Sequence, residues 1–349
     1  MTTKIGIVGY GTIGQRLADG VTLQDDMQLV GVANRSASLK VRALYERGMP
    51  YDLYLADPSV KPQLDDLGIP VAGGIADLLD QVDVVLDATP AGVGSAYKAM
   101  YYDHGCKVIF QGGEKNGVAE VFFHGYANYA LGLGRDSLKM TSCNTTGLIR
   151  AVDALDRCVG VQKVAITIIR RAADPGETKK SIVDLLKIEP VPNHQATDLM
   201  HIMPHIEATG LSVHAPITHG HVINVMARVQ KSISKDEILG LFAEHPRIRI
   251  VRIADGFDSN TSLFNYYRDL GRKRGDMYEI AVWEESLTVS GMDITFAMNI
   301  PQETVTIPET LDGVRACMRM QIDRLDALCA TNKYLGLVPQ LSLRSAVPA

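Results

Sequence analysis

The feature that most constrains this chain is the way it starts. The strand-like run Lys4 to Val8 leads directly into Gly9-Tyr10-Gly11-Thr12-Ile13-Gly14, and a helical stretch follows. A GxGxxG string in that setting spaces its glycines for a tight turn, for close approach of backbone to a pyrophosphate, and for tight helix-on-strand packing. Gly9, Gly11, Thr12, Ile13 and Gly14 are therefore candidate dinucleotide-binding residues, with the pyrophosphate at the helix N-terminus.

The same rhythm continues. Short β-branched runs at Leu29 to Val32, Val82 to Leu86 and Lys107 to Phe110 alternate with helical or loop stretches, which predicts βαβ units and a parallel sheet. We expect a Rossmann-like, doubly wound α/β domain over 1–141. From about residue 140 the runs lengthen, at Val161 to Ile169, His221 to Gln230, Ile248 to Ile253 and Glu279 to Val282, with fewer helices between them. This predicts an α+β domain with a mixed or antiparallel sheet over 142–302. In the tail, Leu311, Val314, Met318, Ile322, Leu325 and Leu328 recur at helical spacing. One closing helix within 303–349, packing back on the first domain, is the expectation. With 349 residues the chain exceeds what a single core usually holds.

The net charge of -5 supplies no global basic field for nucleic acid or an anionic membrane, and no apolar run is long enough to span a bilayer. A cytoplasmic protein with small-molecule partners is expected. Its five cysteines are scattered, without CxxC pairs, and no recognised metal-ligand spacing occurs. Cys106, Cys158, Cys317 and Cys329 read as buried structural thiols. Cys143 differs. It stands among small polar residues in Ser142-Cys143-Asn144-Thr145-Thr146-Gly147, after a strand-like Leu138 to Thr141 and before the helical pattern Leu148, Val152, Leu155. A helix N-terminus favours thiolate over thiol, and its N–H groups can receive an oxyanion. Past the second strand, where NAD-specific sites carry an acid, stand Asn34, Arg35 and Ser36. Without a carboxylate to repel a 2′-phosphate, NADP is expected to be accepted and preferred, with NAD as the other cofactor.

Together with SCNTTGL, the strings QGGEK at Gln111 to Lys115, RRAADP at Arg170 to Pro175, RDLGR at Arg268 to Arg272 and VWEES at Val282 to Ser286 resemble archaeal-type (type II) phosphorylating glyceraldehyde-3-phosphate dehydrogenase over nearly the whole chain. The resemblance implies a Cys143 hemithioacetal and thioester, attacked by inorganic phosphate. It places the catalytic histidine, as the general base that removes the hemithioacetal hydroxyl proton, at His221 in the stretch Pro216 to Ile223, with His219 as an alternative on the same strand face. Gly112, Arg171 and Gln302 are implied near the cofactor, and a homotetramer is implied as the assembly. The substrate-binding set carried over is Ser142, Cys143, Asn144, Arg170, His194, Gln195 and Ala196. The paired arginines at a strand end also suit phosphate oxygens. Asn193-His194-Gln195-Ala196-Thr197-Asp198 departs from the family's S-H-H-G-P-D, losing one histidine and a glycine. Related thioester-forming dehydrogenases, acting on aspartate semialdehyde, acetylglutamyl phosphate or erythrose 4-phosphate, and a catalytically silent dinucleotide-binding protein remain as alternatives.

Overall fold

The computed structural model describes residues 2–171, 187–189, 191–217 and 219–341. The chain divides into two compact units, Met1–Thr141 with Ile307–Leu335, and Ser142–Thr306 with Gly336–Ala349.

The first unit is built on strands β1 (Thr3–Val8), β2 (Met27–Asn34), β3 (Asp52–Leu55), β4 (Gly73–Gly74), β5 (Val84–Asp87), β6 (Lys107–Phe110), β7 (Val121–Phe123) and β8 (Ser137–Met140). They form one sheet in the order β4-β3-β2-β1-β5-β6-β8-β7, every pair parallel. Central strands such as Val84-Val85-Leu86 are wholly buried, as continuous apolar runs must be when both sheet faces are covered.

The second unit has a mixed sheet made of β9 (Val161–Arg171), β10 (Lys187–Ile188), β11 (Glu207–Ala215), β12 (His221–Val229), β13 (Ile248–Val251), β14 (Ile280–Trp283), β15 (Thr288–Ser290) and β16 (Asp293–Ile300). Its order is β10-β11-β9-β12-β16-β14-β13, with β15 on β16. Along β9 and β12 the burial alternates: Val164, Ile166, Ile168, Ile223 and Val225 point inward, whereas Ile169 and Met226 stay 44% and 54% exposed. Helix Cys143–Val159 packs on β9, β12 and β16.

The tail differs from expectation. It forms two helices, Ile307–Cys317 and Arg324–Leu335, separated by a stretch in which Arg319 takes a left-handed backbone (φ 53). Ile322 and Leu325, which continued the helical spacing in the sequence, lie at and beyond this break and are exposed. The periodicity ran through the break because side-chain spacing carries no signal for one left-handed residue. Two of the four cysteines read as buried, Cys158 and Cys329, are exposed; each lies on an outward turn of its helix. No helix among the described residues is long and apolar enough to cross a membrane.

Candidate active site

In the first unit the glycine-rich turn joins β1 to helix Thr12–Thr22, with Gly11 at the N-cap. Gly9 has φ 95, and a Cβ there would lie 2.8 Å from the Ala88 carbonyl; a Cβ on Gly14 would lie 1.9 Å from the Gly9 oxygen. Only bare backbone fits, so the turn presents its N–H groups at the helix N-terminus, an arrangement able to receive an anion. Asn34, at the end of β2, accepts from the Tyr10 amide and donates to the Ser36 carbonyl (2.8 Å), which shapes the loop carrying the exposed Arg35 and Ser36. Lys40, missed in the sequence, donates to Thr12 Oγ1 at 3.1 Å and brings a cation to the same turn. Burial, with Arg16 nearby, lowers its pKa. Gly112 lies exposed in the turn after β6.

The nucleophile candidate is in the second unit. Cys143 is half-buried and is the first residue of helix Cys143–Val159. Ser142 caps that helix: its Oγ accepts from the Thr145 amide (3.4 Å) and lies 2.9 Å from Thr145 Oγ1. The positive end of the helix is therefore fixed beside the thiol. Thr145 Oγ1 also donates to Asp198 Oδ2 (3.4 Å), tying this helix to helix His194–Ile202. Asn193 caps the latter by accepting from the Ala196 amide (3.1 Å) and anchors to Ser212 through its amide nitrogen. Gln195 and Ala196 are thereby buried near the start of the helix, with His194 exposed ahead of them. By contrast, burial pushes the Cys106 thiol up to about 11 and the Cys317 thiol up to about 12, so neither is a nucleophile near neutrality.

Strand register decides the rest. Val222 pairs with Ile169 and His214 with Arg170. Side chains alternate, so His214, Arg170 and His221 share the inner face at the strand ends, and Arg171 faces the other way. His221 is cross-strand from Ile300, and a Cβ on Gly147, one turn beyond Cys143, would meet Ile300 Cδ1. The thiol end of the helix thus lies over the His221 end of the sheet. His219 is not on the same strand face, contrary to the sequence reading. Gly220 (φ 63) breaks the backbone before β12 begins, and His219 packs instead against Phe264 at 4.3 Å. Thr218, in the same stretch, lies outside the described residues, as do 172–175 of the RRAADP string.

His221 Nδ1 accepts from the Arg171 backbone N–H at 3.0 Å. A peptide N–H only donates, so Nδ1 carries the lone pair and the neutral ring carries its proton on Nε2. Burial, then Arg170, Arg171 and His214, hold the His221 pKa down at about 3, so the ring is neutral near pH 7. The two arginines do not make one pocket. Arg170 Nη1 donates to Glu189 Oε1 (3.0 Å), which also meets His214 Nε2 at 2.6 Å; Arg171 Nη1 donates to Glu303 Oε1 at 2.8 Å. Glu189 is penalised by burial, yet His214 and Arg170 outweigh this and lower its pKa. Glu189 and Glu303 were missed because their partners are 19 and 132 residues away in sequence. Gln302 precedes Glu303 in the turn after β16. The side-chain oxygens of Asn144, Gln195 and Asn299 are buried and without a hydrogen-bond partner among the described residues, acceptors suited to substrate hydroxyl groups. Among the described residues no group of three or more His, Cys, Asp or Glu side chains is placed to hold a metal.

Residues 142–286 match the family described as glyceraldehyde 3-phosphate dehydrogenase, C-terminal domain, and residues 3–113 match dihydrodipicolinate reductase, N-terminus. Glyceraldehyde-3-phosphate dehydrogenases of Methanothermobacter thermautotrophicus, Hyperthermus butylicus and Thermococcus kodakarensis are 37%, 39% and 39% identical to the chain. These alignments cover 96%, 96% and 97% of the chain and 99%, 97% and 100% of the relatives. Among solved structures, aspartate semialdehyde dehydrogenase II from Vibrio cholerae shares the fold, with TM-score 0.62 at 14% identity, covering 91% of this chain and 99% of that one.

Proposed function

The chain belongs to the archaeal-type glyceraldehyde-3-phosphate dehydrogenase family, and from that premise we propose that it catalyses the reversible, phosphorylating oxidation of D-glyceraldehyde 3-phosphate to 1,3-bisphosphoglycerate with NAD(P). The observation that carries the chemistry is Cys143 opening a capped helix over the strand end where His221 stands.

Cys143 Sγ attacks the aldehyde carbon; the C–S bond forms and the carbonyl π pair moves onto oxygen. The first-turn amides of helix Cys143–Val159 and the Nε2–H of His221 stabilise that oxygen. His221 therefore acts as a donor, in place of the base expected from the sequence, because its lone pair is committed to the Arg171 amide. The proton of the overall reaction leaves when the thiol ionises. A nicotinamide cofactor held through the Gly9 to Gly14 turn would supply the hydride acceptor, and loss of hydride from the hemithioacetal carbon leaves a thioester on Cys143. An oxygen of hydrogenphosphate then attacks the acyl carbon, the C–S bond breaks, and the departing Cys143 thiolate takes up the proton the phosphate gives up, which restores the thiol. Arg170, on the inner face beside His221, is assigned to phosphate oxygens; Asn144, Gln195 and Ala196 line the substrate, with Ser142 holding the helix cap and His194 at the rim. Arg171, Gly112 and Gln302 are assigned to the cofactor side.

Gly9, Gly11, Thr12, Ile13 and Gly14 would hold the pyrophosphate. NADP is the preferred cofactor in this reading, supported by Asn34 in place of an acid, by exposed Arg35 and Ser36, and by Lys40 at the turn. The partners are the small-molecule substrate and inorganic phosphate in the cytoplasm. A homotetramer is the assembly in this reading, and the apolar Ile169 and Met226 on the outward sheet face offer one surface that a second copy would cover. The test is NADP reduction with glyceraldehyde 3-phosphate, with and without inorganic phosphate, for wild type and Cys143→Ser. Phosphate-dependent reduction that vanishes in the variant is expected. Steady turnover without phosphate, or an active variant, would overturn the reading.

A further inference from the structure

Away from Cys143, the second unit buries two guanidinium groups against one carboxylate. Glu279 is fully buried immediately before β14, and its carboxylate is saturated. Oε1 accepts from Arg249 Nη2 (3.3 Å) and Arg272 Nη2 (3.1 Å), while Oε2 accepts from Arg272 Nη1 (2.9 Å) and the Tyr278 amide (3.0 Å). Four donors exhaust its lone pairs. Arg249 is only 8% exposed, and its Nη1 is buried with no hydrogen-bond partner among the described residues. The cluster therefore keeps one uncompensated positive charge and an unsatisfied donor, which is costly in a desolvated position unless a further acceptor arrives.

Both arginines line one cavity of about 290 Å³. Its other walls include Phe257, Leu263, Tyr266 and Leu270, and no carboxylate among the described residues lines it. Arg272 itself stands over the Tyr267 ring, its Cζ 4.7 Å from the centroid, which with its two bonds to Glu279 fixes the positive charge in place. At the rim, Tyr266 and Leu270 leave apolar surface in water, 46% and 59% exposed. Cationic floor, aromatic walls and an exposed apolar lip together select for a ligand with one anionic end and an apolar body.

We propose that this cavity is a binding site, separate from the Cys143 site, for a small amphipathic carboxylate whose anionic group meets Arg249 and Arg272 and whose aromatic or branched body lies against Phe257, Leu263, Tyr266 and Leu270. The protein contains one tryptophan, Trp283, which packs in the apolar cluster with Leu263, Tyr267 and Phe257 that backs the cavity. Its fluorescence therefore reports occupancy. Phenylacetate added to the full chain should give a saturable change in Trp283 emission. Benzyl alcohol, the uncharged probe of similar shape, should bind at least about tenfold more weakly, as expected for loss of a charge-assisted contact. Tyr266→Glu, at a position exposed enough to leave folding intact, should weaken phenylacetate by a similar factor through repulsion, and Arg249→Lys should weaken it as well. Equal binding of phenylacetate and benzyl alcohol, an unaffected Tyr266→Glu, or no saturable response would overturn the proposal. Inorganic phosphate matching phenylacetate would overturn the role of the apolar body.

Discussion

At the scale of single residues, His221 carries the sharpest physical contrast. Its ring is buried at the end of β12, with Arg170 beside it and its Nδ1 committed to a backbone amide. The pKa is about 3 in the folded chain, against about 6.5 for an unfolded histidine. Because the folded value is depressed, the unfolded chain binds the extra proton between those two pH values. The contribution to stability is complete above about pH 6.5 and is lost as the pH falls from there toward 3. His221→Asn keeps an acceptor but has nothing to titrate. Between pH 6 and 4, the unfolding free energy of wild type should fall more steeply than that of the variant, by up to about 1.4 kcal/mol per pH unit. Denaturant melts across that range check it, and parallel pH profiles would show that His221 is not held neutral by the fold.

At the scale of elements, the strand–turn–helix crossing of the first unit is the most stringent. Gly14 sits against the Gly9 carbonyl, which is backbone and cannot yield as a side-chain tip would. Gly14→Ala should cost about 1–3 kcal/mol, the range for overpacking, and should weaken NADP binding by displacing the turn. Gly117→Ala, where a Cβ would meet nothing within 4 Å, is the matched control and should leave both unchanged. Thermal unfolding and NADP titration of the two variants check this, and a Gly14→Ala protein that melts and binds like wild type would refute the close packing. This crossing was legible in the sequence because a strand, a spaced glycine string and a helix occupy 20 consecutive residues or so, and local pattern suffices there. Helix Cys143–Val159 was equally plain, from the small polar cap ahead of apolar residues at helical spacing. What local pattern could not carry were single backbone departures and long-range pairs. Gly220 turns His219 off the strand, Arg319 breaks the closing helix, and the carboxylates that pair with Arg170 and Arg171 arrive from distant segments. The cap residue Asn193 was visible only as a mismatch in a family string, although its role as a helix cap explains why Gln195 is buried.

At the scale of the whole molecule, the two units answer to different demands. The first is a parallel sheet buried on both faces, with its glycine turn at the carboxyl ends of the strands, where open α/β sheets bind their ligands. The second keeps one sheet face for helix Cys143–Val159 and leaves apolar side chains on the other. The likeness to glyceraldehyde-3-phosphate dehydrogenases runs through both, over 96% of the chain. What unites the chemistry is one covalent intermediate, so the most direct measurement is peptide mass spectrometry of the phosphate-free protein after brief incubation with NADP and glyceraldehyde 3-phosphate. The account predicts a phosphoglyceroyl thioester on the peptide carrying Cys143, cleared by added inorganic phosphate and missing from Cys143→Ser. Phosphate-dependent turnover without that adduct, or an adduct on Cys158 or Cys329 instead, would contradict it.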